Sequence, residues 1–136
     1  MKQDNRGFSL LEMMIVLAII GILSAVMIPS FGAIIQKTKE SGVKAVAHQL
    51  QVTMENYRLS QGHYPSGSLQ AADLITTLQA DGDLKTPPKN PFTGKAYSSS
   101  DASGKILYES QDGGSTYTLD AYGKGNEAVI LEVKGE

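Results

Sequence analysis

Residues 8–31 read FSLLEMMIVLAIIGILSAVMIPSF and are almost entirely apolar. No charged residue occurs between Met13 and Gln36. The hydrocarbon core of a bilayer is about 30 Å thick and requires about 20 helical residues. The stretch is therefore long enough to cross a membrane once as a helix.

The overall composition is typical of a folded protein and does not indicate a nucleic-acid partner. The 136 residues suffice for about one domain, and 41% of them are hydrophobic. Twelve basic residues stand against 14 acidic ones, so the basic excess of a nucleic-acid binder is missing. Cysteine is absent, which excludes disulfides, thiolate metal sites and thiol nucleophiles.

The residues around the apolar stretch predict its orientation. Lys2 and Arg6 precede it, with Asp4 between them, and positive charge before a first span favours a cytoplasmic N-terminus. A cleaved secretory signal peptide is one alternative, but the segment that follows, IPSFGAIIQK, lacks an A-x-A cleavage site. A helix of a soluble core is another, but such a helix is amphipathic and this stretch is apolar all round.

Glu12 interrupts the apolar pattern near its start. A carboxylate at this depth is costly unless it stays near the headgroups or pairs with a cation. The first possibility makes Glu12 a solvated interfacial residue. The second makes it an assembly residue, whose charge is satisfied when another chain supplies a cation.

The helical pattern continues beyond the apolar stretch. Apolar residues recur at steps of three or four, namely Val43, Val46, Ala47, Leu50, Met54 and Tyr57. One helix is predicted from Phe8 to about Gln61, with an apolar half over residues 8–36 and an amphipathic half over residues 37–62. Gly62 and Pro65 end it.

Glycine and proline predict where this helix is weakest. Pro29 lacks the amide that would bond four residues back, so the stretch from Gly21 to Gly32 is expected to bend. Gly42 is expected to kink or loosen the amphipathic half in the same way.

Residues 63–136 are predicted to form a globular head with a short helix, loops and a three- or four-stranded antiparallel sheet. A linker over residues 63–68 precedes a helix over residues 69–80. Segments 105–110, 115–122 and 128–134 alternate with a period of two and are predicted strands. Two sets of side chains are expected to face the helix: Tyr117, Leu119 and Ala121, and Val129, Leu131 and Val133.

No pattern of residues indicates an enzyme, a cofactor or a metal. The chain contains no HExxH, DxDxDG, GxxxxGK or GxGxxG motif. His48 and His63 are assigned to the surface or its boundary, and Asp81 and Asp83 to a solvated turn. No catalytic residue, cofactor or metal site is therefore predicted.

The segment Arg6-Gly7-Phe8-Ser9-Leu10-Leu11-Glu12, with the apolar run behind it, resembles the class III signal of type IV pilins and type II secretion pseudopilins. The resemblance implies that a prepilin peptidase removes residues 1–7 by cutting between Gly7 and Phe8, and N-methylates Phe8. The apolar helix is then retained. It also implies that Glu12 of one subunit pairs with the Phe8 amine of a neighbour, which sets the register of a filament.

The same resemblance implies an α+β, pilin-like fold, in which the second half of a long N-terminal helix packs on a small antiparallel sheet. The implied function is that of a structural subunit, or pilin, of an extracellular type IV pilus-like helical homopolymer. The alternative is a major pseudopilin of a type II secretion system or of a competence pseudopilus. A membrane-anchored enzyme or receptor is a third class, which no motif favours.

The implied partners follow from assembly at the bacterial inner membrane. They are other copies of the chain, the prepilin peptidase, a platform protein, an assembly ATPase and, before assembly, the lipid bilayer. Major pseudopilins often bind calcium before their last strand. Residues 123–127 offer only Asn126 and Glu127 as side-chain oxygen donors, whereas calcium takes about six to eight oxygens. Calcium is therefore not expected there.

Overall fold

The structure is a computed structural model that describes residues 7–136, with Pro29 and Ser30 described by their backbone alone. It has a long N-terminal helix followed by a short helix and an antiparallel sheet, which is the α+β, pilin-like layout expected from the sequence. The elements are helix α1, Leu10–Gln61; strand β1, Ser68–Gln70; helix α2, Ala71–Ala80; strand β2, Ile106–Gln111; strand β3, Thr116–Tyr122; and strand β4, Val129–Gly135.

The chain divides into two compact units, Met1–Ile35 and Gln36–Glu136. In the first unit, the segment Leu10–Ile28 of α1 has a mean hydropathy of 2.6, and none of it is buried. Length and composition make this segment a candidate membrane span, near the N-terminus.

The second unit contains the hydrophobic core. The part of α1 in this unit buries one face, as its apolar spacing predicts, and that face packs against α2 and the sheet. The fully buried side chains of α1 are Val43, Ala47, Leu50 and Met54. Because this core is built from elements of one unit, the head is held together by its own packing.

The sheet has the order β1-β2-β3-β4, and all neighbouring strands are antiparallel. β3 alternates as predicted, with Tyr117, Leu119 and Ala121 buried. The prediction that Val129 of β4 also faces the core is wrong, because its side chain is 48% exposed. A β-bulge causes the difference: Ala121 pairs with Leu131 but Tyr122 pairs with Val129, so the alternation of β4 shifts by one residue.

The predicted helix over residues 69–80 begins two residues too early. Leu69 and Gln70 belong to β1, where they pair with Tyr108 and Leu107 of β2, and α2 begins at Ala71. A three-residue edge strand carries no periodicity of its own. Its pairing depends on β2, which lies more than 30 residues later in the chain.

A buried polar network holds the long loop between α2 and β2. Asn90 is fully buried, and its Nδ2 donates to Oδ2 of Asp101 and to the carbonyl oxygen of Ser103, both at 2.9 Å. Its Oδ1 accepts from the Phe92 amide at 2.9 Å. A buried side-chain amide is stable only when such partners exist, so Asn90 fixes the conformation of this loop.

Tyrosines fill the end of the core next to the C-terminal end of α1. The rings of Tyr64 and Tyr117 meet edge to face, with centroids 4.6 Å apart. The Tyr64 hydroxyl donates to Glu55 Oε1 at 2.8 Å and accepts from Arg58 at 3.0 Å. Burial raises the pKa of Tyr108 and Tyr117 above the usual tyrosine range, which keeps both side chains neutral.

Candidate assembly site at the start of the long helix

The residues described before α1 are not helical. Gly7, Phe8 and Ser9 are outside regular secondary structure, and Phe8 is 83% exposed. A Cβ at Gly7 would meet nothing within 4 Å, and its φ lies outside the left-handed region. The fold itself therefore does not require glycine at position 7. The charged residues Lys2, Asp4 and Arg6 lie outside the described residues.

Ser9 and Glu12 form a capping box at the start of α1. The Ser9 amide donates to Glu12 Oε2 at 2.8 Å, and the Glu12 amide donates to Ser9 Oγ at 3.2 Å. This reciprocal pair satisfies two amides that the first turn of a helix leaves without partners. The pattern Ser-x-x-Glu before an apolar run is the usual sequence signature of this motif, so the capping box is recognisable from the sequence as well as the charge of Glu12.

The charge of Glu12 is stabilised by backbone groups at the start of α1 rather than by a cationic side chain. An acidic residue in the first turn is stabilised by the positive end of the helix dipole. Within residues 7–136, the one ion pair joins Lys134 and Glu132 of β4, far along the sequence. Glu12 therefore has no cationic side chain as a partner in the part of the chain that the structure describes.

The apolar side chains that follow Glu12 in α1 are exposed on all sides of the helix. The exposed fraction is 65% for Leu17, 68% for Ile22 and 72% for Val26. Apolar surface in contact with water costs a free energy of about 25 cal/mol per Å², so a helix of this kind is stable only when an apolar partner covers it. Lipid or the helices of other copies can provide it.

The bend at the predicted kink residues stays a prediction. α1 is assigned as helix through Gly21, Pro29 and Gly32. A Cβ at Gly21 or at Gly32 would meet nothing within 4 Å. Close packing within one copy of the chain is therefore not the reason for either glycine.

The other residues singled out from the sequence belong to the second unit. His48 is exposed and lies 3.3 Å from Gln51 Oε1, and the exposed His63 contacts the carbonyl oxygen of Tyr64 at 2.8 Å. Asp81 accepts a hydrogen bond from Gln61 Nε2 at 2.6 Å. Burial, with the nearby Asp81 charge, raises the pKa of Asp83.

In residues 123–127, the segment considered for calcium, the side chain of Asn126 is used within the fold. Asn126 Oδ1 accepts from the Lys105 amide at 3.1 Å, and its Nδ2 donates to the carbonyl oxygen of Asp101 at 2.9 Å. Among the described residues, no group of three or more His, Cys, Asp or Glu side chains is arranged to hold a metal ion.

Comparison with known proteins gives relatives of two kinds. The family model for the prokaryotic N-terminal methylation motif matches residues 2–28. The type II secretion system core protein G of Escherichia coli K12 is 34% identical over 99 residues, which cover 65% of this chain and 67% of that protein. Its counterpart in Klebsiella michiganensis is 28% identical over 102 residues, covering 68% and 72%.

A fimbrial relative matches to a similar extent. The type IV major fimbrial protein FimA of Dichelobacter nodosus is 33% identical over 103 residues, covering 67% of this chain and 64% of that protein. A search of solved structures gave no significant match. The methylation motif, the exposed apolar helix and these relatives agree, and the chain belongs to the family of type IV pilins and type II secretion pseudopilins.

Proposed function

We propose that the chain is the pilin subunit of an extracellular, type IV pilus-like helical filament. One observation carries the proposal: an apolar helix segment with no buried residue precedes a unit that has a complete core of its own. The core of the head contains no residue of the apolar segment, so this segment is available for lipid first and for other copies later. Family membership implies such self-assembly.

Processing at the N-terminus prepares the subunit. Family membership implies cleavage by a prepilin peptidase, and we place the cut between Gly7 and Phe8, followed by N-methylation of Phe8. The exposed, non-helical segment at Gly7 and Phe8 supports this position, because a peptidase must reach an extended peptide bond. Since the fold does not require glycine at position 7, the requirement for Gly7 comes from the peptidase.

Before assembly the subunit is anchored in the inner membrane by Leu10–Ile28. In the uncut precursor Lys2 and Arg6 keep the N-terminus in the cytoplasm, and the head lies on the opposite side. An assembly ATPase and a platform protein lift the subunit out of the lipid. The apolar helices then exchange lipid contacts for contacts with one another, and burial away from water stabilises the fibre.

Glu12 fixes the register of neighbouring subunits. Cleavage after Gly7 creates an amine at Phe8, and methylation leaves that amine protonatable. A carboxylate buried in an apolar bundle is costly without a cation, so each Glu12 takes the Phe8 amine of a neighbour. The stretch that contains Gly21, Pro29 and Gly32 bends in the fibre, because Pro29 leaves the carbonyl of Ala25 without its helical donor.

A second candidate is the major pseudopilin of a type II secretion system. It is favoured by the secretion relatives, whose matches extend well beyond the N-terminal motif to as much as 68% of this chain. The two candidates differ in the filament and its use rather than in the assembly site.

Deletion of the gene, with electron microscopy of the cell surface and an assay of exported enzymes, separates the two candidates. Loss of long surface fibres with normal secretion supports the pilin. Loss of secretion with fibres intact supports the pseudopilin. Normal fibres together with normal secretion contradict both.

A further inference from the structure

An apolar groove lies between α2 and the proline-rich loop that follows it. The residues that line it include Ile75 of α2 and Pro87, Pro88, Ala96 and Tyr97 of the loop. Its volume is about 190 Å³, below the roughly 300 Å³ at which sites for small molecules begin. A groove of this size suits a single apolar side chain better than a cofactor.

Lysines without acidic partners adjoin this groove. Lys89 and Lys95 are the chain neighbours of the groove residues Pro88 and Ala96, and Lys89 faces Ala96 in an antiparallel β-bridge. Both lysines are exposed, and neither belongs to an ion pair within residues 7–136. No acidic residue occurs in the sequence between Leu84 and Ser100. The groove therefore favours an apolar side chain that has a carboxylate beside it.

The head carries a side chain of this kind on β4. In residues 36–136, the large apolar side chains that are exposed are Val52 and Leu59 of α1 and Val129 of β4. The bulge at Tyr122 turns Val129 out of the core, and the exposed Glu127 lies two residues before it. Bulges are common where a strand redirects a side chain towards a functional site. Val129 and Glu127 thus combine the two properties that the groove favours.

The groove and Val129 lie at opposite edges of the head. The sheet has β1 at one edge and β4 at the other, and α2 packs against β1 and β2. A contact between two different surfaces of identical subunits leaves one surface of each kind free at the ends. Such a contact continues from copy to copy and forms a ring or an open helix.

We propose that Val129 of one subunit enters the groove of the next subunit in the filament, with Glu127 beside Lys89 and Lys95. This inference rests on the proposed filament, and it names a contact between heads that does not involve the apolar helices. One side chain and an exposed ion pair bury too little surface to join two free subunits. The contact acts in the fibre, because the helices already hold neighbouring heads at a high effective concentration.

Cysteine cross-linking tests this contact directly, because the chain has no cysteine of its own. In filaments of the double variant Ala96→Cys with Val129→Cys, the two introduced thiols of neighbouring subunits come within reach of a disulfide. We expect a ladder of dimers, trimers and longer multimers on non-reducing gels after oxidation, since each subunit joins two neighbours. Either single variant should stay monomeric. The matched control, Ala96→Cys with Glu109→Cys on the exposed face of β2, should also stay monomeric.

Reversed charges test the role of the lysines. Glu127→Lys and Lys89→Glu should each lower the mass of shear-released filament about threefold, because an attraction becomes a repulsion. The two changes together restore a pair of opposite charges, and filament mass should return close to that of the parent. Glu109→Lys makes the same charge change on β2 and should assemble like the parent.

A monomer band alone from oxidised filaments of Ala96→Cys with Val129→Cys would overturn the contact. If that pair of substitutions prevents assembly, the charge exchange decides: a double variant no better than the worse single variant would overturn it. A failure of the proposed function looks different, because the processed parent chain itself would then give no filaments.

Discussion

The ring of Pro91 lies against Gly42 of α1 so closely that a Cβ on Gly42 would be 2.9 Å from Pro91 Cγ and 3.0 Å from its Cβ. Gly42 was expected to loosen the helix, and this contact gives it a packing role. Next to this contact, Lys39 Nζ donates to the carbonyl oxygen of Phe92 at 3.4 Å. The loop that Asn90 fixes thus packs on the helix at a glycine, where no side chain stands between them.

This contact predicts the effect of Gly42→Ala. Alanine favours a helix by about 1 kcal/mol over glycine, but forcing a methyl group into a packed site costs about 1–3 kcal/mol. We expect a net loss of about 1 kcal/mol in the free energy of unfolding, measured by thermal unfolding of the chain in detergent. In a Pro91→Gly background, which removes both Cγ and Cβ of this contact, the same substitution should stabilise the head. Equal effects in both backgrounds would show that Pro91 does not limit this position.

The raised pKa of Asp83 predicts that the stability of the head depends on pH. Its Oδ2 atom is buried without a hydrogen-bond partner, and burial together with Asp81 raises its pKa. A raised pKa in the folded state means that the charged form opposes folding, so the parent gains stability as the pH falls through that pKa. Asp83→Asn should therefore be more stable than the parent at pH 7, and the difference should shrink towards pH values below about 4.

Asp112→Asn is the matched control for that series. Asp112 is exposed in the turn between β2 and β3 and has a φ of 50°, which asparagine also tolerates. Its unfolding curve should follow the parent at every pH. If Asp83→Asn shows the same pH profile as Asp112→Asn, Asp83 does not carry the pH dependence.

The sequence predicts the parts of this fold that depend on local periodicity. The apolar stretch and the spacing from Val43 to Met54 give α1 and its buried face, and alternation gives β3. β1 and the bulge at Tyr122 are missed because both depend on which strand lies alongside. The contact of Pro91 with Gly42 joins residues 49 positions apart, which no local pattern records.

Some features of the candidate site are likewise recognisable from the sequence, and others are not. Gly7, Phe8 and Glu12 are recognisable because they form a short linear motif, and the family comparison covers that motif. The capping box also has a linear signature, Ser9 with Glu12 three residues later, but the charge of Glu12 drew attention from its hydrogen bonds. Contacts between subunits depend on a second copy and leave no pattern in one chain.

Substitution of Gly7 tests the proposed cleavage between Gly7 and Phe8. Because nothing in the fold contacts a Cβ at this position, Gly7→Val should leave the head unchanged and block only the peptidase. We expect a full-length precursor in the membrane fraction, identified by intact mass, and no mature chain that begins at Phe8. Gly32→Ala, where a Cβ also meets nothing, is the control and should be cut like the parent. A Gly7→Val chain cut at the parent position would show that the peptidase does not require this glycine.

Glu12 tests the central claim, that the apolar helices assemble in a register set by a charge pair. The measurement is the mass of filaments released by shear, divided by the mass of mature subunit in the membrane, for the parent, Glu12→Gln and Glu12→Ala. Cleavage and the unfolding temperature of the head should not change, because Glu12 lies outside the unit that holds the core. The ratio should fall about tenfold or more in both variants, with Glu12→Ala at least as low as Glu12→Gln. If both variants polymerise like the parent, the register is set elsewhere and Glu12 is only a cap of its own helix.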